Sequence, residues 1–217
     1  GLPYDIFCYD DGGSFACDAP VAWTNGTTRA TAIVLNNGKY VKSGATTRLY
    51  IGTFYTTSTT TTEDSVLKRF VWNYYNRKVR PLRRFESTVT WTYASATFQQ
   101  ANASTSNQLD VVVGVLEDPI TIQVTTFASN SIANASDIAI GEDSTTTPLT
   151  TATIAEFGQS ATFEFQGTVE YVGFPSAIGR HFYVWLEKAQ GGTSTFYSED
   201  TSPAVKRRSG ITGLVMG

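Results

Sequence analysis

Between short turn-forming clusters of Gly, Asn and Asp, this sequence alternates apolar and polar residues with a period of two, and no other feature constrains its fold more tightly. That period places successive side chains on opposite faces of an extended strand, so one face can be buried while the other meets water. The clearest instance is Ala32-Ile33-Val34-Leu35-Asn36-Asn37-Gly38-Lys39-Tyr40-Val41, in which the Asn-Gly pair supplies the positive φ angles of a type I′ hairpin turn. Further strands are predicted over residues 48–55, 87–93, 109–116, 121–129, 161–171, 181–188 and 194–197. Glu117-Asp118-Pro119 and Gly191-Gly192 read as the turns of two more hairpins. The expected architecture is all-β, an antiparallel, jelly-roll-like β-sandwich of about ten strands with little or no helix.

One segment could argue otherwise. Over residues 63–77, Val66, Leu67, Phe70, Val71, Tyr74 and Tyr75 recur at helical spacing, yet the same stretch alternates as Phe70, Trp72 and Tyr74 against Arg69, Val71 and Asn73. Its aromatic and β-branched content favours strand. Residues 56–62 and 144–153 are rich in Thr and Ser and read as exposed loops.

All-β units often reach the 217 residues present here, so residues 1–217 are expected to form a single β-sandwich domain. The absence of an initiating Met suggests that it is the C-terminal part of a longer chain. Only 16% of the residues are charged, and hydroxyl and amide side chains supply much of the polar surface. The longest apolar run, Val111 to Leu116, is far too short to span a bilayer.

Cys8 and Cys17 flank Asp10-Asp11-Gly12-Gly13. A turn centred on Gly12-Gly13 would place them face to face, where a disulfide is geometrically open to them. A turn at Asp11-Gly12 would make them diagonal neighbours, packed as small apolar side chains. Together with the single His181 they are too few for a structural zinc site.

The most unusual local feature is the tract 68–84, which holds seven of the sixteen basic residues and no acid. Taking those seven charges from the net of −3 leaves −10 on the rest of the chain. Segregated charge usually has a partner. Arg69, Trp72, Tyr74, Arg77, Arg80, Arg83 and Arg84, with Trp91 nearby in sequence, are therefore candidate binding or assembly residues. Four uses are open to them: a core strand with arginines at its edge, self-association, an anionic glycan, or single-stranded nucleic acid. An acidic total and an isoelectric point near 5.2 speak against nucleic acid.

For catalysis the inventory is thin. Nucleophilic arrangements would have to use His181, which sits in an apparent strand, and neighbouring carboxylates such as Glu63-Asp64, Glu117-Asp118, Glu142-Asp143 and Glu199-Asp200 point to opposite faces of an extended chain. No catalytic residue, cofactor or metal site is expected.

The runs Gly1-Leu2-Pro3-Tyr4-Asp5-Ile6-Phe7, Ala22-Trp23-Thr24-Asn25-Gly26-Thr27-Thr28-Arg29-Ala30, Leu49-Tyr50-Ile51-Gly52-Thr53-Phe54 and Thr62-Glu63-Asp64-Ser65 resemble a module of tailed bacteriophages and prophages. The resemblance continues through Lys68 to Arg77, Trp91-Thr92-Tyr93 and Gly179-Arg180-His181. This family of tail-fibre-like virion structural proteins has no known catalytic residues, so none is carried over. The resemblance implies a virion surface location, as a fibre, spike or head decoration with a host-attachment role. The implied partners are other virion proteins, two further copies in a homotrimer, and a host surface glycan or protein, with no nucleic acid and no membrane. The alternatives are a carbohydrate-binding module with Trp72, Tyr74, Trp91 and Tyr197 as platforms, and a polysaccharide depolymerase.

Overall fold

A computed structural model describes residues 1–157, 163–198 and 207–217. The chain opens with β1 (Pro3–Asp11), β2 (Ser14–Cys17), β3 (Val21–Ala22), β4 (Ile33–Asn36), β5 (Lys39–Lys42) and β6 (Ala45–Tyr55). It continues with β7 (Lys68–Arg69), β8 (Val71–Asn73), β9 (Val79–Phe85), β10 (Thr90–Tyr93), β11 (Gln99–Gln100), β12 (Gln108–Val113) and β13 (Ile120–Asn130). β14 (Ser136–Glu142), β15 (Ala155–Phe157), β16 (Phe165–Gly173), β17 (Gly179–Ala189), β18 (Ser194–Tyr197) and β19 (Gly210–Met216) complete it. Among the described residues the only helical element is the 3₁₀ turn Ala101–Ala103. The expected all-β class holds. These strands outnumber the ten expected because several, such as β3, β7 and β11, hold two residues and leave no alternation to read.

Two sheets form the sandwich. The central sheet runs β15-β14-β17-β12-β7, with β11 beside β17, and the far sheet runs β10-β18-β13-β19-β9, with β16 on the other side of β13. Leu109, Val111, Ile138, Ile140, Tyr183 and Trp185 of the central sheet meet Ile120, Ile122, Val124, Val169, Phe196 and Ile211 of the far one. Each such fully buried side chain contributes roughly 1.5–3 kcal/mol. From β12 onward the chain passes repeatedly between the two sheets, as a jelly roll does.

That alternation corrects two expectations. Glu117-Asp118-Pro119 and Gly191-Gly192 do not close hairpins, because β12 and β13 lie in different sheets, as do β17 and β18. Both links arch across the core, and the turn chemistry of an arch resembles that of a hairpin.

The third sheet, β2-β1-β6-β5-β4 with β3 beside β1 and β8 beside β6, packs on the outer face of the central one. Phe7, Tyr50, Phe70 and Trp72 cover Val112, so β12 is buried on both faces, with Val111 and Val112 at 0% and 1% exposure. The segment that could have been helical is extended, and β7 and β8 are separated by Phe70. The 56–62 loop is exposed and closes on itself through Thr57 and Thr61. In 144–153, Leu149 and Ala152 fold back onto the core while Thr145, Thr146, Thr147, Thr150, Thr151 and Thr153 face water. Part of the strand expected over 161–171, and the pair Glu199-Asp200, fall outside the described residues.

Both N-terminal hairpins follow their turn residues. Asn37 and Gly38 have φ of 51° and 76°, as a type I′ turn requires. Asp11 pairs with Ser14 around Gly12-Gly13, which brings Cys8 opposite Cys17, and the two form a disulfide. Closing a loop with nine residues of sequence separation is worth about 2–3 kcal/mol in the chain-entropy account. Reduction, or Cys8→Ser with Cys17→Ser, should therefore lower the urea midpoint by an amount equivalent to about 2 kcal/mol.

Candidate functional site

The basic and aromatic tract passes through all three sheets in succession. β7 pairs with β12 in the central sheet, β8 with β6 in the third sheet, and β9 with β19 in the far sheet. Phe70 and Trp72 turn inward, Tyr74 is half-buried among Tyr40, Tyr50, Trp72 and Tyr75, and Tyr75 itself is exposed.

Most of its cations have carboxylate partners within the chain. Lys68 pairs with Glu63 at 3.0 Å, and Asp64 receives both Arg69 and Arg80. Arg77 pairs with Glu117 at 2.9 Å and with Asp118, while its guanidinium lies 5.0 Å from the Tyr74 ring. Arg84 donates to Asn107 Oδ1. Arg83 is exposed and lies against Phe85, and among the described residues no ion pair engages it or Lys78. The charge segregation seen in sequence is thus largely neutralised in space. Trp91 belongs to a different place, buried in the far sheet against Trp185 and Phe196. The predicted set is therefore not one site. Trp72 and Trp91 are closed to a sugar, and of the four platform candidates only Tyr74 and Tyr197 are partly exposed.

Beside the tract lies a buried network that inspection of the sequence did not single out. Arg29 donates from Nε to Asp5 at 2.8 Å, and from Nη2 to the Gly114 carbonyl at 2.7 Å and Tyr50 Oη at 3.2 Å. Its guanidinium stacks 4.5 Å from the Trp23 ring, and Thr53 donates to Asp5 at 2.7 Å. The two ionic side chains are 8% and 2% exposed. Gly114 must lack a side chain here, because a Cβ would lie 2.1 Å from Tyr50 Oη. The backbone N–H of Arg180 donates to the Gly26 carbonyl at 2.9 Å, which joins β17 to the same junction.

Two further polar clusters are each built around a buried titratable side chain. His181, 1% exposed, meets Asp143 through Nδ1 at 2.7 Å and the Ala177 carbonyl through Nε2 at 2.8 Å. Both partners are acceptors, so both ring nitrogens donate. Burial opposes the resulting positive charge, but the Asp143 hydrogen bond and the charges of Asp143 and Glu142 outweigh it and raise the imidazole above its ordinary value. Glu142, Asp143 and His181 are the described group whose composition could hold a metal ion. As folded they form an ion pair in direct contact.

Glu187 accepts from Trp91 Nε1 at 2.7 Å, Gln99 Nε2 at 3.1 Å and the Asn102 amide at 2.9 Å, bridging the two sandwich sheets. Burial pushes its carboxyl up to about 7, although these three donors favour the anion. Glu86 is also buried, which would raise it, but hydrogen bonds from Thr88 and Asn107 hold it below the usual carboxylate range. A raised and a lowered carboxyl together resemble an acid-base pair. Glu187 and Glu86 are 0% and 3% exposed, however, and neither lines the three main surface clefts.

No family model matches the chain, and no curated protein matches it. Among solved structures it is similar to the insecticidal delta-endotoxin Cry8Ea1 of Bacillus thuringiensis, with 6% identity and a TM-score of 0.34 over 100% of this chain and 49% of that one. A Cry1Da tryptic core variant from Bacillus thuringiensis gives 8% identity and a TM-score of 0.29 over 99% and 51%. The chain spans about half the length of these structures, and a likeness this weak carries no argument about its role.

Proposed function

We propose that this chain is a structural component of a tailed-phage virion, displayed on the particle surface as a fibre, spike or head-decoration module and assembled as a homotrimer with other virion proteins. One observation carries the reading. The runs that resemble the phage module converge on a single junction: Asp5, Trp23, Arg29 and Tyr50 meet there, and Gly26 receives Arg180. Residues of these runs engaged with one another in the seam between the third and central sheets suit a rigid, displayed module. They would serve poorly as a chemical site, and the proposal includes no catalytic role. Host attachment would fall to the exposed loops, chiefly 56–62 and 144–153.

Antibodies raised against the isolated chain test this on purified particles by immunogold electron microscopy. Gold on the outside of intact particles is the expected result. Particles that contain none of the chain would overturn the proposal.

A further inference from the structure

We infer that the outer face of the third sheet carries a binding groove for a neutral, hydroxyl-rich glycan. This goes beyond a place in a particle, because it concerns what the isolated chain binds, and it can fail while that placement stands.

The groove follows from strand register. Val41 pairs with Val34 and Leu49, Leu49 with Cys8, and Cys8 with Cys17, so one row of small apolar groups crosses β4, β5, β6, β1 and β2. These residues alternate with Tyr40, Tyr50 and Phe7, which face the interior, so the row lies on the opposite face, where Val34 and Cys17 are exposed and Leu49 is half-buried, while Val41 and Cys8, at 4% and 3% exposure, sit deep in the floor. Its middle three residues, Val41, Leu49 and Cys8, line the groove and span about 10 Å at roughly 4.8 Å per strand, the length of about two sugar rings. The ends of two hairpins wall it in: Asp10 opposite Phe15 on one side, Asn36 opposite Lys39 on the other. Together they enclose about 600 Å³.

The walls match the chemistry of a sugar. Phe15 is 80% exposed on a hairpin held by the Cys8–Cys17 disulfide, which leaves its ring face open to a ligand in the groove. A pyranose offers an apolar C–H face to such a ring and hydroxyls around its edge. Asn36 and Asn37 line the groove, and their side-chain amides make no hydrogen bond within the chain among the described residues. Asp10 is already engaged with the Gly13 amide at 2.6 Å, and Lys39 stands across from it, so the walls carry little net charge. Balanced charge selects a neutral glycan over a sulfated or uronic one.

Saturation-transfer NMR on the full chain, with gluco-, manno-, galacto- and N-acetylglucosamine tetrasaccharides, tests the groove. At least one is expected to receive saturation, with Phe15→Ala weakening it tenfold or more, Phe15→Tyr preserving it and Asn36→Ala weakening it several-fold. Phe15 buries almost nothing, so an unchanged urea midpoint should accompany the loss in Phe15→Ala. No transfer to any of the four, or transfer undiminished by Phe15→Ala, would overturn the inference. So would binding confined to sulfated oligosaccharides and abolished by physiological salt.

Discussion

Arg29→Ala is expected to destabilise the fold by about 3–5 kcal/mol, measured as the loss in urea unfolding free energy at neutral pH. The arginine lies beneath the third sheet, where its charge compensates Asp5 and its other nitrogen donates to Gly114 and Tyr50. Truncation leaves a carboxylate at 2% side-chain exposure with only Thr53 still donating among these partners. Most of the loss comes from that orphaned charge. The pair Asp5→Asn with Arg29→Met should accordingly be less damaging than Arg29→Ala alone. A loss below 1 kcal/mol for the single variant, or an equal loss for the double one, would contradict this account of the junction.

The second large effect is a stability that falls as pH rises. Glu187 has its ordinary value of 4.5 in the unfolded chain and about 7 when folded. Between those values the unfolded chain has released the proton and the folded chain keeps it, so unfolding becomes easier with each step upward. The window is worth about 3 kcal/mol in total. His181 acts in the same direction, since its raised value gives stability that is complete below 6.5 and lost as pH rises through the folded value. Asp18, Glu63 and Glu86, all lowered, act only at the acid end, where their contribution disappears as pH falls. Urea midpoints at pH 5, 6, 7 and 8 should therefore decline steadily. Glu187→Gln should reduce that slope and cost about 1–3 kcal/mol at pH 5, because its new N–H₂ must face one of three donors. A midpoint that is flat or rising from pH 5 to 8 would contradict the assignment.

How much of this could be read from sequence depends on how far apart the partners lie. The Asn37-Gly38 hairpin and the strand at β12 were legible, the first from its turn residues and the second from its apolar run, whereas the cover on both faces of β12 was not read from it. β9 was not, because Pro81 and the three arginines at 80, 83 and 84 break the alternation and disguise an edge strand, where a proline costs no ladder hydrogen bond. The tract 68–84 looked like an unpartnered cationic patch only because a local window excludes its acids. Glu117 and Asp118 reach Arg77 from forty and forty-one positions away. Glu187 meets Trp91 across ninety-six. Arg29 gave no local signal at all, since nothing in its neighbours announces a buried ion pair with Asp5. Phe15 did leave one, a phenylalanine in a turn-rich hairpin between two cysteines, but only the register reveals the row that it overlooks.

The most direct measurement is a cryo-electron microscopy reconstruction of the intact particle with side-chain detail. The account predicts symmetric copies of this three-sheet fold on the particle exterior, with Arg69, Arg77 and Arg80 paired to the acids of their own copy and the Phe15 groove facing outward. Particles without the chain, or copies in which Arg69, Arg77 and Arg80 leave their acids to grip a neighbour, would contradict it.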